Sequence, residues 1–96
     1  MVGRISAEKG FDRVIPIAKY LQDFHTTWKI DIFGDGPLKN DLVSKFDLQN
    51  ITNVRFCGAT KNIKSEYKKS SIFMLTSYTE AMPMVILEAQ SFGLPV

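Results

Sequence analysis

Segments with the spacing of helices alternate along this chain with segments that have the pattern of strands, and glycine or proline separates them. From residue 8 to residue 24 the apolar side chains recur every three or four positions, which is typical of a helix packed on one face, and Ser6 precedes it as a cap. Residues 28–33 alternate apolar and polar side chains and stop at residues 34–37, which predicts a strand and a turn. Such alternation favours a parallel sheet, because parallel strands need a crossover between them.

The rest of the chain continues the same pattern. The remaining predicted helices span residues 37–46, 63–69 and 84–92, and the remaining predicted strands span residues 54–57 and 71–76. Gly93 follows the last helix, as a C-terminal glycine would. The run at 71–76 is almost continuously apolar, which is typical of a strand covered on both faces. The predicted fold class is therefore α/β, a doubly wound parallel sheet with helices on its faces.

The two ends of the pattern are incomplete. The first apolar stretch, residues 2–5, and the last, residues 94–96, are both shorter than a buried strand usually is. We therefore expect this chain to be a fragment of a longer protein.

Composition narrows the class of function. The 96 residues are 45% hydrophobic and 23% charged, as in a soluble globular domain, and no apolar run approaches the roughly 20 residues of a membrane span. The formal net charge is +2 and the basic residues are scattered, so no nucleic-acid partner is expected. A single cysteine cannot form an internal disulfide, and no signal-peptide pattern is present, which favours a cytoplasmic protein.

Ligands bind open α/β sheets at the carboxyl ends of the strands, where loops lead into helix N-termini. Four loops have that position, and they are residues 3–9, 34–37, 58–62 and 77–83. Arg4 and Lys9 in the first loop are suited to a diphosphate, or are two ordinary solvated charges. Gly34 in the second would let a nucleotide approach the backbone, or would only form a tight turn capped by Asp35.

Two glutamates are the most specific candidates. Glu88 falls on a helix face with Met84, Val85 and Phe92, so its carboxylate is expected among apolar neighbours and needs partners. Glu80 precedes the N-terminus of the same helix. The two carboxylates could accept hydrogen bonds from sugar hydroxyls, or could be one loop glutamate and one surface glutamate. Neither a metal-ligand spacing nor a Walker or dinucleotide glycine pattern is present.

Several of these stretches together resemble the group 1 glycosyltransferases (family 4), a retaining family with the GT-B fold. They are residues 3–11, 28–37, 71–77, 80–89 and 93–96. The resemblance spans the whole chain in the right order. It implies that residues 1–96 form part of the Rossmann-like C-terminal domain that binds the nucleotide-sugar donor, without the N-terminal acceptor domain and without the C-terminal end.

The resemblance also implies a role for each charged candidate. Arg4 and Lys9 would bind the donor diphosphate and offset the charge of the departing nucleotide. Glu80 and Glu88 match the two glutamates of the family's E-x(7)-E motif, of which the first lies beside the donor sugar and the second binds the ribose. Glu80, Arg4 and Lys9 are therefore the predicted catalytic residues.

Backbone groups complete the site that the resemblance implies. The backbone around Met82, Pro83 and Met84 would meet sugar hydroxyls and phosphate, and Gly34 would line the nucleotide pocket. One departure from the family is Ala81, which stands where glycine is common and could alter the approach of backbone to sugar. No metal or other cofactor is expected, because basic side chains and the helix dipole would stabilise the leaving group.

The expected activity of the parent protein is hexosyl transfer with retention from a nucleotide sugar, a uridine diphosphate sugar, to a sugar acceptor. The resemblance is to bacterial members that build surface polysaccharides, and it places the enzyme in the cytoplasm, peripheral to the inner membrane through the absent domain. Two alternatives stay open. One is a nucleotide-binding half-domain that is inactive alone, and the other is a GT-B sugar-nucleotide epimerase.

Overall fold

The computed structural model describes residues 1–78 and 84–96 and has the predicted alternation of helices and strands. The helices are α1 (Val14–Phe24), α2 (Lys39–Leu48), α3 (Ile63–Lys69) and α4 (Met84–Ser91), and the strands are β1 (Ile30–Phe33) and β2 (Val54–Gly58). Each of these elements overlaps the segment whose spacing predicts it.

The first helix begins later than its apolar spacing predicts. Two short 3-10 turns, Ala7–Lys9 and Phe11–Arg13, precede α1, and Gly10 separates them with a left-handed backbone (φ 62°). A Cβ atom at Gly10 would clash with the carbonyl oxygen of Thr76, so packing against a distant segment fixes this break. The expected cap is wrong as well, since the side chain of Ser6 makes no capping hydrogen bond to the first turn.

The sheet is parallel, as predicted. Residues of β1 pair in register with residues of β2, with Ile30 opposite Val54 and Ile32 opposite Phe56. On the other side of β1, Val2 forms a single parallel bridge with Phe33. The segment around Val2 therefore lies beside β1, and β1 lies beside β2. All three segments run in the same direction.

Residues 71–76 are not a strand, which corrects the prediction from their apolar pattern. Within this segment, the backbone N–H of Phe73 donates a hydrogen bond to the carbonyl oxygen of Pro95 (2.7 Å). That bond is one rung rather than a ladder, so the segment is not assigned as a strand. Its side chains nevertheless alternate between two faces, because Phe73 and Leu75 pack into one cluster and Met74 packs against the other.

Two apolar clusters cover the two faces of the sheet. The first lies under α1 and α2, and its buried residues are Ile5, Phe11, Val14, Ala18, Ile30, Ile32, Leu42, Phe46 and Ile51. The second lies under α3 and α4, and its buried residues are Tyr67, Phe73, Ala89 and Leu94. Helices on both faces are what the doubly wound architecture requires.

The end of α4 is a Schellman motif, which confirms Gly93 as the C-terminal glycine. The backbone N–H of Leu94 donates to Ala89 (3.2 Å), that of Gly93 donates to Gln90 (2.9 Å), and Gly93 is left-handed (φ 74°). Leu94 and Ala89 are both buried in the second cluster, so the turn also directs the chain back onto the sheet.

Candidate functional site

The carboxyl ends of the parallel segments meet at one edge of the sheet. The backbone N–H of Gly3 donates to Phe33 (3.0 Å), and the N–H of Gly34 donates to Gly58 (2.8 Å). A Cβ atom at Gly34 would clash with the carbonyl oxygen of Gly3, so only glycine allows the two loops to approach so closely. Three strand-end loops therefore converge on a single position.

A cavity of about 270 Å³ opens where these loops converge. Arg4, Gly34 and Glu88 line it together, although they are far apart in the sequence. Arg4 is exposed, whereas Glu88 is half-buried on α4. The structure thus brings one cation, one carboxylate and a close backbone turn around a single space, as the strand-end argument predicts.

The inner wall of this cavity is mainly apolar. Val85 precedes Glu88 by one helical turn, and Ile63 and Tyr67 lie one turn apart on α3. Of the apolar neighbours predicted for Glu88, Val85 lines the same cavity, Phe92 does not, and the side chain of Met84 lies outside the described residues. Burial raises the pKa of Tyr67, and the negative charge of Glu88 raises it further.

Asp35 also lines the cavity, but its side chain is engaged in the turn. Its carboxylate Oδ1 accepts a hydrogen bond from the backbone N–H of Gly36 (2.8 Å). The prediction that Asp35 caps the next helix is wrong, because α2 begins at Lys39 with Leu38 at its N-cap position and no capping side chain. The turn and the cavity are therefore compatible, because Asp35 shapes the loop that Gly34 presents to the space.

Lys9 lies outside this cavity, in the 3-10 turn Ala7–Lys9. The hydroxyl of Thr76 donates to the carbonyl oxygen of Lys9 (3.2 Å), and the backbone N–H of Tyr78 donates to that of Glu8 (2.9 Å). These bonds join the turn to the start of the loop at 77–83. Lys9 is therefore placed near that loop, and Arg4 is the cation that borders the cavity.

Side-chain contacts strengthen the same junction. The guanidinium of Arg13 stacks over the ring of Tyr78, 3.6 Å from its centroid, and the Tyr78 hydroxyl donates to Asp12 Oδ2 (3.1 Å). The pKa of Glu8 is lowered, mainly by a hydrogen bond from its own backbone N–H, with smaller effects of the Lys9 and Arg4 charges. Glu8 therefore adds a negative charge beside both predicted phosphate ligands.

Part of the predicted site lies outside the described residues. Glu80, Met82 and Pro83 fall in residues 79–83, and Met84 is described only as the first residue of α4, without its side chain. Their predicted roles stay predictions.

Thr60 and Tyr67 are polar residues of the cavity wall that the sequence did not indicate as candidates. Thr60 follows β2, and its Oγ1 accepts a hydrogen bond from the N–H of Asn62 (3.2 Å). Tyr67 reaches the cavity from α3. Thr60 could have been indicated by the loop at 58–62, which was a candidate by its position. Tyr67 could have been indicated by its spacing of four residues from Ile63, which places both on one face of α3.

A larger cavity, of about 580 Å³, is lined by none of the described residues that were predicted to bind the ligand. It lies beside α3 and the beginning of β1, and its walls include Trp28, Ile72 and Phe73. Because Arg4, Gly34 and Glu88 all border the smaller cavity, we identify the smaller one as the candidate site.

Neither a cluster of metal-binding side chains nor a membrane-spanning helix is found in the described part of the chain. Across residues 1–78 and 84–96, no group of three or more His, Cys, Asp or Glu side chains is arranged to hold a metal ion. Within the same ranges, no helix combines the length and apolar character that crossing a bilayer demands.

The fold and the cavity define a class of protein: a parallel α/β domain with an arginine, a glycine turn and a half-buried glutamate around one cavity at its strand ends. Sequence comparison gives the family. The family model described as "Glycosyl transferases group 1" matches residues 1–96, and the chain belongs to that family.

Curated relatives agree with this assignment. The chain is 38% identical over 101 residues to the UDP-Gal:alpha-D-GlcNAc-diphosphoundecaprenol alpha-1,3-galactosyltransferase of Escherichia coli, covering 99% of this chain and 26% of that protein. It is 35% identical over 99 residues to an uncharacterized glycosyltransferase of Haemophilus influenzae, covering 99% and 27%. It is 33% identical over 95 residues to the amylovoran biosynthesis glycosyltransferase AmsD of Erwinia amylovora, covering 98% and 26%. The chain thus spans about a quarter of the length of these relatives.

A solved structure agrees with the fold. TarM matches with a TM-score of 0.95, covering 100% of this chain and 20% of that chain, at 23% sequence identity. The chain therefore has the Rossmann-like α/β fold of one half of a GT-B glycosyltransferase.

Proposed function

We propose that this chain is the donor-binding part of an enzyme that transfers a hexosyl group from a uridine diphosphate sugar to a sugar acceptor, with retention of anomeric configuration. The observation that carries this proposal is the convergence of Arg4, Gly34 and Glu88 on one cavity at the carboxyl ends of the strands. Family membership supports a glycosyltransferase, and the names of two relatives support a role in bacterial surface polysaccharides.

The cavity has the chemistry that a nucleoside diphosphate needs. Arg4 can donate two parallel hydrogen bonds to phosphate oxygens, and its charge would stabilise the diphosphate as the bond to the sugar breaks. The carboxylate of Glu88 can accept hydrogen bonds from two ribose hydroxyls. Gly34 leaves room for the ligand beside the backbone. Lys9 would bind the same diphosphate from its turn.

The other proposed groups act on the donor sugar. Glu80 would lie beside it, and the backbone around Met82, Pro83 and Met84 would meet its hydroxyls at the N-terminus of α4. Since Arg4 and Lys9 supply the positive charge that the leaving group needs, we propose that transfer requires no metal or other cofactor.

The rest of the parent protein would complete the enzyme. We propose that an N-terminal domain holds the acceptor, and that the enzyme works in the cytoplasm at the surface of the inner membrane. Because the chain spans about a quarter of its relatives, we expect residues 1–96 to bind nucleotide without transferring sugar.

Calorimetric titration of uridine diphosphate into this chain tests the proposal directly. We expect saturable binding by the folded protein. Lys9→Ala and Glu88→Gln should each weaken binding by about 1–3 kcal/mol, as the loss of a hydrogen bond to a charged group does. Lys45→Ala and Glu66→Gln are matched controls. Neither residue borders the cavity, and, unlike Lys9, neither lies in one of the strand-end loops, since Lys45 is in the last turn of α2 and Glu66 is on α3. Both variants should bind like the unmodified chain.

Each contrary outcome refutes a different part of the proposal. Absence of binding by well-folded protein would refute donor binding, and unchanged affinity in either site variant would refute the role of that residue. Incubation with labelled nucleotide sugar separates the remaining alternatives, since turnover by this chain alone would contradict an inactive half-domain. An isomerised donor, formed by the parent enzyme without use of acceptor, would indicate an epimerase.

A further inference from the structure

Tyr67 is a buried residue that the proposed chemistry leaves without a task. Only 3% of its surface is exposed, and its ring lies 6.0 Å from that of Phe73 and 5.8 Å from that of Phe92, centroid to centroid. It projects from α3 into the second cluster and also lines the cavity. Packing alone would explain the ring, but not the hydroxyl.

The hydroxyl of Tyr67 is buried and makes no hydrogen bond to the part of the chain that the structure describes. An unpaired buried hydroxyl is unfavourable, and phenylalanine would fill the same space without that cost. Most buried polar groups in folded proteins have a partner, so an exception needs an explanation. The cavity that Tyr67 lines is the place where its hydroxyl could meet a partner.

Glu88 is the carboxylate that shares this wall of the cavity. It lies on α4 and borders the same space, together with Val85 and Ile63. Its negative charge is close enough to add to the effect of burial, and both raise the pKa of Tyr67. The phenol therefore keeps its proton at neutral pH, and a protonated phenol can donate to a carboxylate.

We propose that Tyr67 is a positioning residue for Glu88: when a ribose enters the cavity, the Tyr67 hydroxyl donates to one carboxylate oxygen and aims the carboxylate at the ribose hydroxyls. This inference rests on the proposed function and deepens it. The half-buried carboxylate of Glu88 can otherwise rotate about its side-chain bonds, and fixing it in advance reduces the entropy lost on binding. The second oxygen of the carboxylate stays available to the sugar. Tyr67 would thereby contribute to selection of ribonucleotides over deoxyribonucleotides.

The test compares two ligands and two proteins. Uridine 5′-diphosphate and 2′-deoxyuridine 5′-diphosphate are titrated by calorimetry into the unmodified chain and into Tyr67→Phe. We expect the unmodified chain to prefer the ribonucleotide, and Tyr67→Phe to lose about tenfold in affinity for it, as expected of a charge-assisted hydrogen bond. The affinity for the deoxyribonucleotide should fall much less, so the preference shrinks.

Two controls separate positioning from folding. Tyr20→Phe removes the hydroxyl of an exposed tyrosine outside the cavity and should leave both affinities unchanged. Thermal unfolding of ligand-free Tyr67→Phe should occur at the same temperature or higher, since the variant loses an unpaired buried hydroxyl. On the Glu88→Gln background, Tyr67→Phe should cause little further loss of affinity, because the two residues act as one unit.

Each contrary result has a distinct meaning. If the unmodified chain binds uridine diphosphate and Tyr67→Phe binds it equally well, the positioning role is refuted and the proposed function stands. Equal losses for both nucleotides would also overturn it, since they would indicate a general effect on the fold. If the unmodified chain binds neither nucleotide, the proposed function fails and this inference fails with it.

Discussion

Gly36 is a position where one added methyl group is expected to cost substantial stability through packing alone, because its φ is not in the left-handed region. A Cβ atom there would lie 2.7 Å from the backbone nitrogen and 2.8 Å from the carbonyl carbon of Ile5, and nearer still to its carbonyl oxygen. Ile5 is 1% exposed, so its backbone cannot move aside into solvent. Two hydrogen bonds hold the segments together, from Ile5 N–H to Asp35 (3.0 Å) and from Leu38 N–H to Ile5 (3.1 Å).

The expected cost of Gly36→Ala follows from these contacts. Separating the segments enough to admit a methyl group would weaken both hydrogen bonds, at about 1 kcal/mol each. Residual overpacking adds about 1–3 kcal/mol, for a total of about 3–5 kcal/mol. A domain of this size has a free energy of unfolding of roughly 5–14 kcal/mol, so the variant would lose a large part of it.

Gly58→Ala is the matched control. Gly58 also ends a strand beside the cavity loops, but no heavy atom lies within 4 Å of an added Cβ, and its φ is +73°. This variant therefore carries only the left-handed backbone cost of about 1–2 kcal/mol. Urea denaturation, monitored by circular dichroism, gives the free energy of unfolding of both variants. The slope of that free energy against urea concentration should be the same as in the unmodified chain.

The comparison has a clear refuting result. If Gly36→Ala loses no more stability than Gly58→Ala, the close packing of the loop against Ile5 does not constrain the fold. A loss in Gly36→Ala together with reduced uridine diphosphate affinity would instead support a loop that both folds the chain and shapes the cavity.

Three more predictions concern the packing of the core, the loss of stability at alkaline pH and the charge of the site. Leu42→Ala should lower the free energy of unfolding by about 2–4 kcal/mol, whereas Leu48→Ala, at an 81% exposed position, should change it by less than about 0.5 kcal/mol, both measured by urea denaturation. In a spectrophotometric titration, Tyr67 should form phenolate above the ordinary tyrosine range, because burial and the charge of Glu88 raise its pKa. Because its pKa is higher in the folded state, its contribution to stability is complete below the ordinary tyrosine pKa and is lost as pH rises above it, an effect absent in Tyr67→Phe. Glu8→Gln should strengthen uridine diphosphate binding by up to about threefold in low salt, because it removes a negative charge near Arg4 and Lys9, and this gain should vanish in high salt.

The parts of the fold and site that the sequence predicts depend on local rules. Strand-end loops of a parallel sheet meet at one edge, which is why Arg4 and Gly34 could be expected near one another, and both line the cavity. Helical periodicity likewise placed Glu88 beside Val85. These inferences need only the order of the elements and the pitch of a helix.

The parts that could not be predicted depend on contacts between distant segments. The apolar spacing runs without interruption through Gly10, and the break there is set by the carbonyl group of Thr76. Phe24 continues the apolar stripe of α1 but is 69% exposed, and its ring packs on Tyr20 (5.0 Å between centroids) rather than in the first cluster. The sequence indicates only an ordinary core residue at Tyr67. It does not indicate that the hydroxyl lacks a partner among the described residues, in a cavity that Glu88 also lines.

The unequal division of the core between the two faces of the sheet has a consequence for dynamics. Among the described residues, nine buried side chains hold the face under α1 and α2, and four hold the face under α3 and α4, which carries the cavity wall. The thinner side should open in local fluctuations well below the energy of global unfolding, so its amides should exchange with deuterium first. A nucleotide bound between Arg4 and α4 would add apolar and polar contacts to this face and so reduce its local opening. Protection of α3 and α4 amides, rather than those of α1 and α2, would be the signature of an occupied site.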